Sequence, residues 1–206
     1  LWFAHSRPPF RKYHVLGHVW HIDWTLMRQL IVIGAPIAFS FLFEYGLFAA
    51  AALLMGLIST TALAAHQIAL QIAAILFMVP FGIGMAATVR VGHAVGHGDT
   101  TAVQRAGFVA TALGIVFMSI MTLAVILGRF LIARFFFGEA AESAAAVIEL
   151  IASLLMVGAT FFVADGIQTV VSGALRGLHD TRVPLVFAAI SYWLIGFPAA
   201  YGLAFR

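Results

Sequence analysis

Glu44 and Asp165 stand inside long apolar runs, and their side chains are the ones in this sequence best placed to do chemistry. Glu44 lies within Phe41-Leu42-Phe43-Glu44-Tyr45-Gly46 and is the only charged residue between Gln29 and Val89. Asp165 belongs to a stripe: Phe161, Asp165, Gln168 and Ser172 recur at i, i+4, i+7 and i+11, on one face of a helix. Upstream, His66, Gln67 and Gln71 add polar groups, and Gln67 and Gln71 share a helical face where they can hydrogen-bond without charge. An ionised carboxylate at the centre of a bilayer costs about 2.5–3.5 kcal/mol on insertion scales, so such residues face a cavity and mark ion or substrate pathways. Two that converge in one low-dielectric cavity disfavour each other's ionisation and titrate as a pair. They can hold a proton, a Na⁺ with oxygen ligands or an organic cation, and exchange among these states is the chemistry of an antiporter. One carboxyl alone could instead stay protonated as a structural hydrogen-bonding group; two beside a glutamine stripe favour transport.

The elements that must position these groups are membrane helices. Of the 206 residues 63% are hydrophobic and 9% charged, with mean hydropathy +1.06, whereas soluble domains carry about 45–50% and about 25%. Too little charge remains to cover a soluble surface. Crossing a hydrocarbon core of about 30 Å takes roughly 20 apolar residues in a helix, and five segments qualify: 29–56, 62–91, 106–137, 142–175 and 183–205. Ser59, Thr60 and Thr61 separate the first two; Asp165 is the interior charge of the fourth, with Glu149 near its boundary. The runs are continuous rather than alternating, which excludes barrel strands. The expected fold class is all-α, a polytopic helix bundle. Leu1 to Ala4 read as the tail of an earlier span, and the opening Leu1 with the apolar run ending at Arg206 suggests a fragment.

Lysine and arginine set the orientation. Arg7, Arg11, Lys12, Arg28, Arg90, Arg105, Arg176 and Arg182 fall in loops on one side, and Arg129, Arg134 and Arg206 on the other. The richer side is cytoplasmic by the positive-inside rule, so the first span runs outward. The scattered basic residues form no nucleic-acid-binding stripe. No cysteine is present, which excludes thiolate metal sites and thiol nucleophiles. His14, His18 and His21 share i, i+4, i+7 spacing in an interfacial linker helix over 14–28, and His93 and His97 neighbour Asp99; both groups read as polar interface rather than metal ligands. Gly34 and Pro36 interrupt the first span, Pro80 the second and Pro198 the fifth; Pro36 and Pro80 are hinge candidates.

Several ordered segments carry a resemblance: Gly34-Ala35-Pro36-Ile37 leading to Phe43-Glu44, Ala64-Ala65-His66-Gln67-Ile68-Ala69, Arg90-Val91-Gly92-His93, Asp165-Gly166-Ile167-Gln168, and Ser172-Gly173-Ala174-Leu175-Arg176-Gly177 with Asp180. Together they resemble the multidrug and toxic compound extrusion (MATE) transporters of the bacterial NorM type. The resemblance implies that the five spans correspond to the seventh to eleventh of twelve helices, most of a C-terminal lobe, with residues 1–28 linking the lobes. It further implies multidrug efflux from the inner membrane by antiport. Na⁺ or H⁺ would enter as coupling ion, without other cofactor, while lipophilic or cationic compounds leave, and the missing N-terminal lobe would be a partner. The family's cation-site glutamate falls on Glu44 and its aspartate on Asp165. Some members hold the cation with a tyrosine where this sequence has Phe161, which removes an oxygen ligand. Phe41, Tyr45, Phe48 and Phe161 are candidates to line a drug cavity, since aromatic faces attract cations by about 0.5–2 kcal/mol. Most of the 19 phenylalanines are expected to face lipid or pack between helices. A lipid-linked precursor flippase of the same superfamily is the alternative; it calls for a cationic cavity, and the expected spans have no interior Lys or Arg. No zincin motif or Ser/Lys dyad points to a membrane enzyme.

Overall fold

A computed structural model describes residues 23–137 and 144–204, and every regular element among them is helical. The order is α1 (Trp24–Ile58), α2 (Thr60–Gly96), α3 (Thr100–Phe137), α4 (Ala144–Ala159), α5 (Phe162–Gly177), α6 (Arg182–Ala188), a π-helical segment (Ala189–Gly196) and α7 (Phe197–Ala204). Three helices and the α6–α7 unit are long and apolar enough to cross a membrane, and α4 with α5 makes a fifth span if the bent pair counts as one.

Helix ends follow local chemistry. Asp23 begins α1: its Oδ1 accepts from the Thr25 and Leu26 amides at 2.9 and 3.3 Å, satisfying donors that the first turn leaves free. The helix therefore starts at Trp24, and residues 24–28, expected in an interfacial linker, are its first turn. The linker's histidines His14, His18 and His21 lie outside the described residues. Extended Ser59 ends α1 and caps α2, its Oγ accepting from the Ala62 amide at 3.0 Å, so one residue reverses the chain. Between α2 and α3, Gly98 takes φ +71° and Asp99 accepts from the Ala102 amide at 2.9 Å. Asp99 is thus a cap of α3, and no cluster of three metal-ligating side chains occurs among the described residues.

Two spans depart from the expected continuous helices. The fourth breaks after Ala159, and α4 and α5 meet at a 50° bend. At the break the Thr160 and Phe161 amides bond carbonyls three residues back, and Thr160 Oγ donates to the Val157 carbonyl at 2.7 Å, which tightens the turn and ends the α pattern. In the last span Ala189–Gly196 is π-helical, with the Phe197 amide donating to the Tyr192 carbonyl. Pro198 follows directly. Lacking an N–H, it cannot bond the Leu194 carbonyl, and the widened turn before it absorbs the mismatch. Pro36 and Pro80, by contrast, sit inside helices that continue past them.

Buried residues of α2 to α5, among them Met118, Val125, Ile151, Leu155 and Phe162, form the core. Helix α2 is central, packing against α1, α3, α4 and α5. It runs parallel to α5 at very close range. A Cβ on Gly173 would strike the Gly84 carbonyl, and one on Gly177 would come to 2.7 Å from the Thr88 carbonyl oxygen. Thr88 Oγ donates within hydrogen-bonding range of both the Gly84 and Gly173 carbonyls, at 2.9 and 2.7 Å. Small residues replace side-chain bulk with backbone contact, the usual membrane solution where no hydrophobic force drives helices together. Large apolar side chains such as Phe108, Leu127 and Phe135, each over 75% exposed, cover the outside.

Candidate functional site

The parallel packing of α2 and α5 fixes one wall of a cavity, and α1 closes the other. Ser40, Phe41 and Glu44 face it from α1; Phe77, Phe81, Met85 and Thr88 from α2; Gln168, Thr169, Ser172 and Arg176 from α5; and Tyr192 from the π segment. Glu44 is half-buried and lies within electrostatic reach of Asp165 and Arg176. Neither carboxylate forms a hydrogen bond or ion pair with a described residue. Each is therefore free to take a ligand.

Asp165 does not line the cavity itself. It occupies the first turn of α5, next to the break at Thr160 and Phe161, where the positive end of the helix dipole favours an anion. Thr169 Oγ donates to its carbonyl at 2.9 Å. The expected stripe thus survives in part: Gln168 and Ser172 reach the cavity, whereas Phe161 is cut from α5 by the break and is 48% exposed. Of the candidate aromatics only Phe41 lines the cavity. Tyr45 is 69% exposed, and Phe48, half-buried, lies a turn away from the lining residues. Gln67 and Gln71 are exposed and lie outside it, too far along α2 toward its N-terminus.

Sequence reasoning missed four contributors: Phe77, Phe81, Tyr192 and Arg176. Phe77 and Phe81, with ring centres 6.3 Å apart, extend the aromatic wall from α2, and Phe81 lies 6.5 Å from Phe41. Tyr192 Oη accepts from Gln168 Nε2 at 2.7 Å, while the adjacent Trp193 donates to the Phe43 carbonyl at 3.2 Å. The π segment thereby ties α5 and α1 together beside Glu44; the signal for it was Pro198. Arg176 is the main correction. It was read as a loop cation, yet α5 runs to Gly177, and the Arg176 guanidinium sits 4.9 Å from the Phe41 ring centre inside the cavity. The expectation of no interior Lys or Arg fails for this residue, and Arg129 and Arg134, expected in a loop, lie within α3.

The cavity is partly open and offers a space of about 40 Å³. One water needs roughly 10–15 Å³ on this scale, so a cation or a few waters fit, whereas drug-sized pockets run to roughly 300–1,000 Å³. A larger groove of about 650 Å³ lies between α2 and α3, with Arg90 and Arg105 at its rim and no carboxylate in its lining. Of the two, the smaller cavity is the one lined by a carboxylate.

Comparison with known proteins shows the family. Residues 36–202 match the family model described as MatE. The chain is 64% identical over its whole length to "Probable multidrug resistance protein NorM" of Bradyrhizobium diazoefficiens, covering 44% of that protein. It is 57% identical over 96% of its length to the protein of the same name from Rhodopseudomonas palustris, covering 42% of it. Against "Multidrug resistance protein NorM" of Burkholderia vietnamiensis the identity is 46% over the whole chain and 44% of the relative. The chain spans less than half the length of these curated relatives.

Proposed function

Since the chain belongs to the MatE family of transporters, we propose that it forms the cation-coupling part of a secondary antiporter that exports lipophilic or cationic compounds from the cell across the inner membrane. The observation that carries the proposal is that Glu44 of α1, in the cavity wall, lies within electrostatic reach of Asp165 of α5, with neither carboxylate satisfied by a described hydrogen-bond donor. Na⁺ or H⁺ entering down its gradient would neutralise these groups and favour one placement of α1 relative to α5. The exported compound would favour the other, because a ligand with equal affinity for both states shifts nothing. A space of about 40 Å³ suits the coupling ion and not the drug, so the drug is assigned to the larger cleft expected between this lobe and its partner lobe.

The flippase alternative called for a cationic cavity. Arg176 supplies one cation, but Glu44 in the same lining offsets it, so a pyrophosphate would meet no net positive charge. In the full-length protein, reconstituted in vesicles with an imposed Na⁺ or proton gradient, Glu44→Gln and Asp165→Asn are each expected to abolish gradient-driven efflux of a dye such as ethidium. Undiminished coupled efflux in both variants would sink the assignment.

A further inference from the structure

We propose that the groove between α2 and α3 is a binding site for an anionic phospholipid of the cytoplasmic leaflet, with Arg90 and Arg105 on the headgroup phosphate and an acyl chain in the apolar hollow beside them. The groove shares no lining residue with the Glu44 cavity, so the proposal is independent of the antiport reading. Its shape follows from residue size and helical spacing. On α2 the lining residues Ile83, Ala86, Ala87 and Arg90 recur at i, i+3, i+4 and i+7, one face of the helix. On α3 Ala102, Ala106 and Ala110 stand at i, i+4 and i+8, with Arg105 on the same face. Alanines on both helices leave the surface between them hollow, about 650 Å³, a size that takes a large organic ligand. Away from the arginines the lining is wholly apolar and ends at Ile83 and Leu113.

Charge selects the occupant. Arg90 lies six residues before the end of α2 at Gly96, and Arg105 five residues after the start of α3 at Thr100. At 1.5 Å per residue both stand about 7–9 Å inside their helix ends, a depth from which a long arginine side chain reaches the headgroup layer. Two guanidiniums that never deprotonate thus line one groove at one level. Neither forms a hydrogen bond or ion pair with a described residue, and no acidic residue lines the groove. Asp99, the nearest acid in sequence, caps α3 through the Ala102 amide. An organic cation is repelled here, and a second copy docked through the same face would bring four arginines together. A zwitterionic lipid carries its own cation to the phosphate, whereas an anionic lipid offers uncompensated charge. Basic pockets between spans on the cytoplasmic side suit such headgroups. Seven residues separate Arg90 from Ile83 and eight separate Arg105 from Leu113. The apolar hollow therefore runs about 10–12 Å, most of the hydrocarbon depth of one leaflet, about 15 Å.

The test uses the full-length protein with Leu113→Cys as its single cysteine, labelled with bimane at the apolar end of the groove. The protein is reconstituted in phosphatidylcholine vesicles that carry a minor fraction of either brominated phosphatidylglycerol or brominated phosphatidylcholine, and quenching of the label reports which lipid lies in the groove. Both leaflets have the same composition, so the result does not depend on how the protein inserts. Brominated phosphatidylglycerol is expected to be preferred by about fivefold or more, the attraction of about one arginine for an anionic lipid, and added inorganic phosphate is expected not to displace it. Arg90→Gln combined with Arg105→Gln is expected to bring the ratio to about one, while Arg90→Lys combined with Arg105→Lys keeps the preference. Equal quenching by the two lipids with both arginines present, an unchanged preference in the double glutamine variant, or displacement by phosphate would overturn the proposal. Quenching by neither lipid would overturn it too, by showing the groove covered by another part of the chain or by a second copy; recovery of quenching on diluting the protein in lipid identifies the second copy. The comparison with both arginines present decides even if the glutamine variant does not fold.

Discussion

Glu44 and Asp165 are separated by 120 positions of intervening sequence and come into electrostatic reach only because α1 and α5 close on the same space. Each carboxylate was legible alone, since a lone charge inside an apolar run is costly and needs a reason. Arg176 was not, because Gly177 and the polar turn after it make the arginine look like a loop residue, and only the fold turns it inward over Phe41. The residue-scale expectation is a loss of gradient-driven efflux of at least about tenfold in Glu44→Gln or Asp165→Asn, about 1.4 kcal/mol, read from initial dye-efflux rates at equal protein levels. Tyr192→Phe removes the hydroxyl that accepts from Gln168. It is expected to weaken coupling-cation affinity severalfold without abolishing transport, measured as the cation concentration giving half-maximal efflux.

Pairs of elements carry the site as much as single residues do. The α2–α5 contact depends on Gly84, Gly173 and Gly177 and on Thr88 reaching the Gly173 carbonyl. Gly173→Ala should drive a methyl group into the Gly84 backbone and cost about 1–3 kcal/mol, seen as a lower thermal unfolding midpoint in detergent. Thr88→Val keeps the shape and removes the hydroxyl, so a smaller loss of about 0.6–1.7 kcal/mol is expected from the same measurement. The length of the charge-free apolar runs announced the helices, but not the break at Thr160 and Phe161 or the π turn over Ala189–Gly196. Run length is too coarse to register a single slipped turn. Such turns arise where tertiary contacts, here Trp193 to the Phe43 carbonyl and Tyr192 to Gln168, compensate for lost helical hydrogen bonds.

Across the whole molecule, the parallel run of α2 and α5 places Arg90, Arg105, Arg176 and Arg182 toward one end, and the C-terminal part of α3 places Arg129 and Arg134 toward the other. That distribution makes orientation testable. The chain lacks cysteine, so single cysteines can serve as reporters once any elsewhere in the full-length protein are replaced. His97→Cys and Leu178→Cys are expected to react with an impermeant maleimide only from the cytoplasmic side, and Ile58→Cys only from outside. The reverse pattern would contradict the charge-based orientation. By itself the sequence determined the membrane class, the helical spans and the two carboxylates, because hydropathy and the cost of charge in lipid act locally and leave their mark residue by residue. Tertiary structure alone decided which polar groups share a cavity. It excluded Gln67, Gln71, Tyr45 and Phe161 from it, brought in Phe77, Tyr192 and Arg176, and held the space to the size of an ion. Those outcomes depend on helix rotation, a broken span and backbone contact through glycines, which are properties of helices packed together and not of any one apolar run.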